Sequence, residues 1–278
     1  MKLAICNEVW RNEAIETVFR KAATIGYDGV EIAPFTLAES VEMIPVDRRK
    51  EMARAAADAG VQIVGLHWLF VSPKGLHLTT PDDAVRARTT DYLKALIDFC
   101  ADLGGGVMTL GSPQQRSIVP PNTRADALKR AREVLAAVAD TAAARNVTVC
   151  FEALSPKETN FINTIEQAAA LVDGIGHPSI QIMLDVKAMA SMPDGVEATV
   201  RKYGARAKHF HANEPNGKGP GMASPSLDFY TVLAALFETG YDGWVSVEPF
   251  DYTPDPDTVA QAACRTLREA ATPPPPTP

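Results

Sequence analysis

Short apolar runs alternate with helical patterns eight times along this chain, and no linker-like shift in composition interrupts the alternation. The runs are Leu3 to Cys6, Gly29 to Ala33, Gln62 to Leu66, Val107 to Leu110, Thr148 to Glu152, Ile180 to Asp185, Ala207 to His211 and Trp244 to Glu248. Runs this short and this apolar suit parallel strands covered on both faces, and the segments between them supply the covering helices. Two of those segments carry a clear apolar stripe: Leu93, Leu96, Ile97, Cys100 and Leu103 in one, Leu128, Ala131, Leu135, Val138 and Ala142 in the other. Gly26, Gly60, Gly104 and Gly240 stand where a helix must stop before the next strand begins. Eight such units in 278 residues predict one α/β domain, a (β/α)8 TIM barrel over residues 1–271. An open doubly wound sheet would place a glycine-rich phosphate turn after its first strand, and no G-x-G-x-x-G occurs there. The proline-rich end, 272–278, is expected to be a disordered or extended tail. The turn Gly26-Tyr27-Asp28-Gly29 recurs as Gly240-Tyr241-Asp242-Gly243, each followed by an acid (Glu31, Glu248) and a Pro-Phe pair, so strands two and eight read as copies of one unit.

Charge narrows the partners. With 27 Lys and Arg against 34 Asp and Glu, the net charge of −7 repels phosphate backbones and anionic lipid, which excludes nucleic acid and membrane as expected partners. The polar pair Asn7-Glu8 comes too early for a signal peptide, and the apolar runs fall short of a membrane span, so a cytoplasmic location is expected. Cys6, Cys100, Cys150 and Cys264 have neither zinc nor redox spacing and are expected to be reduced and buried.

Active sites of such barrels lie at the C-terminal ends of the strands, and four consecutive strands end there in ionisable residues: Glu152, Asp185, His211 and Glu248. Alone, each acid reads as a cap or an ion-pair partner; four aligned one unit apart read as a site. Three carboxylates gathered in a dry pocket repel unless a cation lies among them. Two Glu, one Asp and one His form a mixed oxygen and nitrogen set that suits a single divalent ion, Mn²⁺ foremost, with Mg²⁺, Co²⁺ or Zn²⁺ as alternatives. His67 and Trp68 follow strand three and Lys187 follows Asp185, so these three are expected to contact substrate. The loop from Phe70 to His77 is long enough for a lid. Trp10 and Phe250 are expected at the rim, and His209, one layer below His211, as a hydrogen-bonded core histidine.

Taken jointly, Phe151-Glu152-Ala153-Leu154, Met183-Leu184-Asp185-Val186, Phe210-His211-Ala212-Asn213-Glu214 and Val247-Glu248-Pro249-Phe250 resemble the metal site of the xylose isomerase-like superfamily. The resemblance is to its sugar isomerase and epimerase branch, which includes tagatose and psicose 3-epimerases, hydroxypyruvate isomerase and inosose-processing enzymes, and it spans Met1 to about Ala270. It implies Glu152, Asp185, His211 and Glu248 as metal ligands, Glu158 as a sugar contact, a small carbohydrate substrate and a homo-oligomer, dimer or tetramer. Two positions depart from the epimerase pattern. Ala188 stands where a histidine follows the metal aspartate, and Lys218 stands where the basic sugar contact is usually arginine, serving as a point charge without a bidentate fork.

The expected chemistry is proton transfer next to a carbonyl, with Glu152 and Glu248 as the catalytic pair on opposite faces of the sugar and a metal-stabilised cis-enediolate between them. That describes an isomerase or epimerase of a sugar, keto-sugar or sugar phosphate. The alternative is a lyase or dehydratase that eliminates a β-substituent from a keto-sugar, inosose or 3-keto-glycoside, a reading favoured by Ala188. A non-catalytic sugar-binding barrel and a nuclease of the apurinic-endonuclease kind carry less weight. The nuclease needs further His and Asp ligands, which Leu110-Gly111-Ser112-Pro113 and Ala188 do not provide.

Overall fold

Each of the eight apolar runs forms a strand in the computed structural model, which describes residues 1–271. The proline-rich end lies outside the described residues. The strands are β1 (Lys2–Cys6), β2 (Gly29–Ile32), β3 (Gln62–Leu66), β4 (Val107–Leu110), β5 (Thr148–Phe151), β6 (Ile180–Asp185), β7 (Ala207–Ala212) and β8 (Trp244–Val247). All pair in parallel in chain order, and β8 returns to β1, closing the barrel. Glu152 and Glu248 therefore stand one residue beyond their strands rather than on them.

The helices are α1 (Ile15–Ile25), α2 (Val46–Ala59), α3 (Asp83–Asp102), α4 (Arg124–Ala144), α5 (Ile165–Asp173), α6 (Val186–Met189), α7 (Gly195–Tyr203), α8 (Phe229–Glu238) and α9 (Pro256–Ala270). They form because their apolar stripes cannot stay wet: Leu93, Leu96, Ile97 and Cys100 of α3 and Ala131, Leu135, Val138 and Ala142 of α4 are fully buried against the barrel. A reciprocal capping box between Thr123 and Asp126 starts α4. Gly26 ends α1 at φ +106°, a left-handed turn that costs glycine little because it has no Cβ.

The repeated Gly-Tyr-Asp-Gly turn leads into β2 and β8, which flank β1 on either side. Their acids are not equivalent, however: Glu31 lies inside β2 and is fully buried, whereas Glu248 lies past the end of β8. The tyrosines also differ, Tyr27 donating to the Ala260 carbonyl and Tyr241 to that of Trp244. The recurrence is one of turn chemistry rather than of acid position.

The segment expected to be a lid is anchored by its buried residues, with Lys74 and Gly75 exposed between them. Phe70, Leu76 and Leu78 are buried, and the Phe70 and Leu78 amides donate to Ser112 Oγ and the Gln115 carbonyl. All four cysteines are free and buried. Among the described residues no helix is long and apolar enough to cross a membrane.

Candidate active site

At the C-terminal ends of the strands the barrel opens into a small cleft lined by Glu152, Asp185 and Glu248 together with His67, Trp68, Glu158, Lys187 and Phe250. One ligand atom from each of Glu152, Asp185, His211 and Glu248 can be chosen so that all four lie within 4.8 Å of one another, and all four residues are buried. The expected quartet is thus brought together by β5, β6, β7 and β8.

Each member is held from behind. Asp185 caps α6, accepting from the Ala188 amide at 2.7 Å through Oδ1 and from Asn213 Nδ2 at 2.8 Å through Oδ2. The cap and the site are therefore one residue. Asn213 also accepts from the Lys187 amide and donates to the Glu248 carbonyl, lacing the ends of β6, β7 and β8. Glu152 lies across Gly111, where any Cβ would collide with Glu152 Oε2. Its carbonyl accepts from Arg116 at 2.6 Å, a buried guanidinium stacked 4.9 Å from the centre of the Phe151 ring. Burial pulls Arg116 down to about 10 against the attraction of Glu152 and Glu158.

The electrostatics of the quartet are those of crowded acids. Burial, then Glu248 and Asp185, push Glu152 well above the ordinary carboxyl range, while His211 and Arg116 pull the other way. Burial and Glu248 lift Asp185 from 3.8 to about 6. Burial disfavours the charged His211 ring, yet Glu31 and Glu248 outweigh it and hold the imidazole well above its usual value. A divalent ion fits this set on two counts: hard oxygen donors with one imidazole are its preferred ligands, and its charge removes the repulsion that burial magnifies.

With this geometry in hand, sequence comparison is decisive. A profile described as xylose isomerase-like TIM barrel matches residues 19–270. The chain belongs to that family. A probable ketose 3-epimerase of Synechocystis sp. is 25% identical over 260 residues, covering 91% of this chain and 85% of the relative. An L-ribulose 3-epimerase of Mesorhizobium japonicum is 29% identical over 206 residues, covering 72% and 65%. The crystal structure of D-psicose 3-epimerase from Clostridium cellulolyticum H10, with D-tagatose, superposes at a TM-score of 0.84 with 24% identity, covering 97% of this chain and 99% of that one. Its curated relatives being epimerases and isomerases, the chain is an enzyme of that class.

Around the quartet of this family member, the remaining expected residues divide. Glu158 and Lys187 both line the cleft and form an ion pair with each other, so the Lys187 charge is already answered. Lys187 Nζ also sits 4.5 Å from the centre of the Phe250 ring, and Phe250 meets Trp68 edge-on at 6.3 Å. Trp68 holds φ +52°, a strained region for an aromatic residue and one that concentrates at functional sites. His67 lines the cleft with its Nε2 2.7 Å from Glu8. Lys218 lies outside the lining, and its backbone bridges Asp251. His77 is likewise outside the lining. Trp10 is buried rim packing that donates to Asp257 at 2.6 Å. His209 is a fully buried histidine bonded to Glu31 at 2.8 Å.

Sequence reasoning missed Glu31, Glu8, Asn213, Arg116 and Gly111. Glu31 had a signal, an acid between Val30 and Ile32 in the middle of a buried run, but a search restricted to strand ends passes over it. Asn213 lay inside a motif quoted for its histidine. Arg116 gave none, since a loop arginine reads as exposed until the structure buries it.

Proposed function

We propose that the chain is a divalent-metal-dependent epimerase or isomerase of a small keto-sugar, moving a proton at a carbon next to the carbonyl. The observation that carries this reading is the meeting of Glu152, Asp185 and Glu248, which line one cleft, with His211 buried beneath them, all four offering a ligand atom to one point. The ketose and L-ribulose 3-epimerases among its relatives support a ketose substrate. A divalent ion held by these four residues, Mn²⁺ in our reading, supplies Lewis acidity that eases formation of an enediolate from the sugar.

The chain's own groups do the rest. Glu152 follows β5 and Glu248 follows β8, so a sugar seated between them meets one carboxyl on each face. One takes the carbon-bound proton and the other returns one to the opposite face, which inverts the centre; return to the neighbouring carbon interconverts aldose and ketose. Burial of both acids keeps water from competing for the proton. Glu158 and Lys187 hold hydroxyls, and Trp68 with Phe250 offers an apolar wall to the C–H face of the ring.

The test is incubation of Mn²⁺-loaded protein in deuterated water with keto-sugars, inososes and 3-keto-glycosides. We expect deuterium at one carbon of a new stereoisomer. An unsaturated product would establish the lyase alternative, which Ala188 favours by offering the sugar no side-chain donor at that position. Protein that holds Mn²⁺ and exchanges no proton in any of these sugars would overturn the reading.

A further inference from the structure

Glu31 takes no part in this chemistry, yet it is among the most enclosed acids in the chain. It is fully buried and does not line the cleft. His209 Nε2 reaches its Oε2 at 2.8 Å, and His211 Nε2 reaches both oxygens at 3.1 and 3.2 Å. The Thr109 hydroxyl donates at 3.3 Å, the Cys6 thiol at 3.9 Å, and His67 Nδ1 stands 4.0 Å away. Groups carried by β1, β4 and β7, and by the residue after β3, thus converge on one carboxylate from β2. Barrel interiors are ordinarily filled by branched apolar residues, and taking a carboxylate out of water is costly. An acid kept there at that cost holds something in place.

What it holds is the His211 ring, which is engaged at both nitrogens. An ionised carboxylate only accepts hydrogen bonds, so the Nε2 that faces Glu31 carries the hydrogen. Nδ1, 3.0 Å from Glu248 Oε2, is then the nitrogen presented to the ligand cluster. We infer that Glu31 is the positioning residue of the metal centre, orienting His211 and setting its tautomer so that Nδ1 is the ligand atom. This rests on the metal-dependent reading above. His209 braces the arrangement by donating to the same Glu31 oxygen that His211 approaches at 3.1 Å.

Glu31→Gln keeps the volume but turns one acceptor into a donor that cannot receive an imidazole N–H. The Mn²⁺ dissociation constant, titrated by electron paramagnetic resonance, should rise roughly 10- to 100-fold while the circular dichroism spectrum stays that of the parent. Independently, ¹⁵N-histidine spectra of the parent protein loaded with diamagnetic Mg²⁺ should place the His211 proton on Nε2, with none on Nδ1. That second measurement needs no variant and decides the matter should Glu31→Gln fail to fold. Equal Mn²⁺ affinity in a folded Glu31→Gln protein, or a proton on His211 Nδ1 in the Mg²⁺-loaded parent, overturns this inference alone. A parent protein that binds neither ion overturns the functional reading and this inference with it.

Discussion

At the barrel mouth three carboxylates, Glu152, Asp185 and Glu248, gather with His211, whose Nδ1 lies 3.0 Å from Glu248, whereas on its Nε2 side a single carboxylate, Glu31, is shared by two imidazoles. Both groups are buried, and burial alone raises any acid's pKa. At the mouth the neighbours add to that effect and Glu152 rises well above the ordinary range. In the interior burial is overruled by His209 and then His211, and Glu31 falls well below it. The interior compensates its own charge and is built to stay put. The mouth does not, which supports the proposal that it receives a cation.

The mouth should yield the largest effect. Glu152→Gln is expected to cut turnover by roughly 10²- to 10⁴-fold in the deuterium-exchange assay. In EDTA its melting temperature should be no lower than the parent's, since one of three mutually repelling acids has gone. Glu31→Leu should behave in the reverse sense, leaving the two histidine N–H groups unpaired and lowering the unfolding free energy by about 3–5 kcal/mol in a urea titration. A loss within experimental error there would erase the contrast.

Gly111→Ala sharpens it from a third direction. The new methyl group must push Glu152 aside, so kcat/KM should fall by about 10²-fold while thermal stability changes little. An unaltered kcat/KM would mean that Glu152 tolerates the shift.

The pH dependence of metal-free protein separates the two regions without mutation. Asp185 has a folded pKa of about 6 against an ordinary 3.8, so the folded state binds the extra proton between those values. Its contribution therefore falls as pH rises through that window. His211, raised above 6.5, acts with the same sign: its contribution is full below 6.5 and is lost as pH climbs through the folded value. Glu31, depressed, contributes stability across the whole range above its ordinary 4.5. On the proposed function Mn²⁺ competes with the mouth protons, so the rise in melting temperature on adding it should be greater near pH 8 than near pH 5. A pH-independent rise would break the comparison. The smallest effect is expected from Lys187→Ala at the half-buried ion pair with Glu158, a KM increase of about two- to five-fold with kcat nearly unchanged.

Much of this was readable from local pattern. The runs at Gln62 to Leu66, Val107 to Leu110 and Ile180 to Asp185 match β3, β4 and β6 residue for residue, because apolar period and glycine stops act over a few residues. The strand-end rule located the quartet because barrel topology places all strand ends on one face. The same rule overlooked Arg116, whose buried guanidinium lies over the Phe151 ring, and the family resemblance suggested Lys218, whose backbone bridges Asp251 outside the cleft lining.

The sequence by itself therefore determined the barrel and the level at which Glu152, Asp185, His211 and Glu248 leave it, since periodicity and turn chemistry are properties of neighbouring residues. Only the tertiary structure decided which acid faces imidazoles and which faces other acids. Glu31 on β2 and His211 on β7 are neighbours neither in the chain nor in the sheet, and they meet because closing the barrel turns both strands' inward side chains toward a common interior.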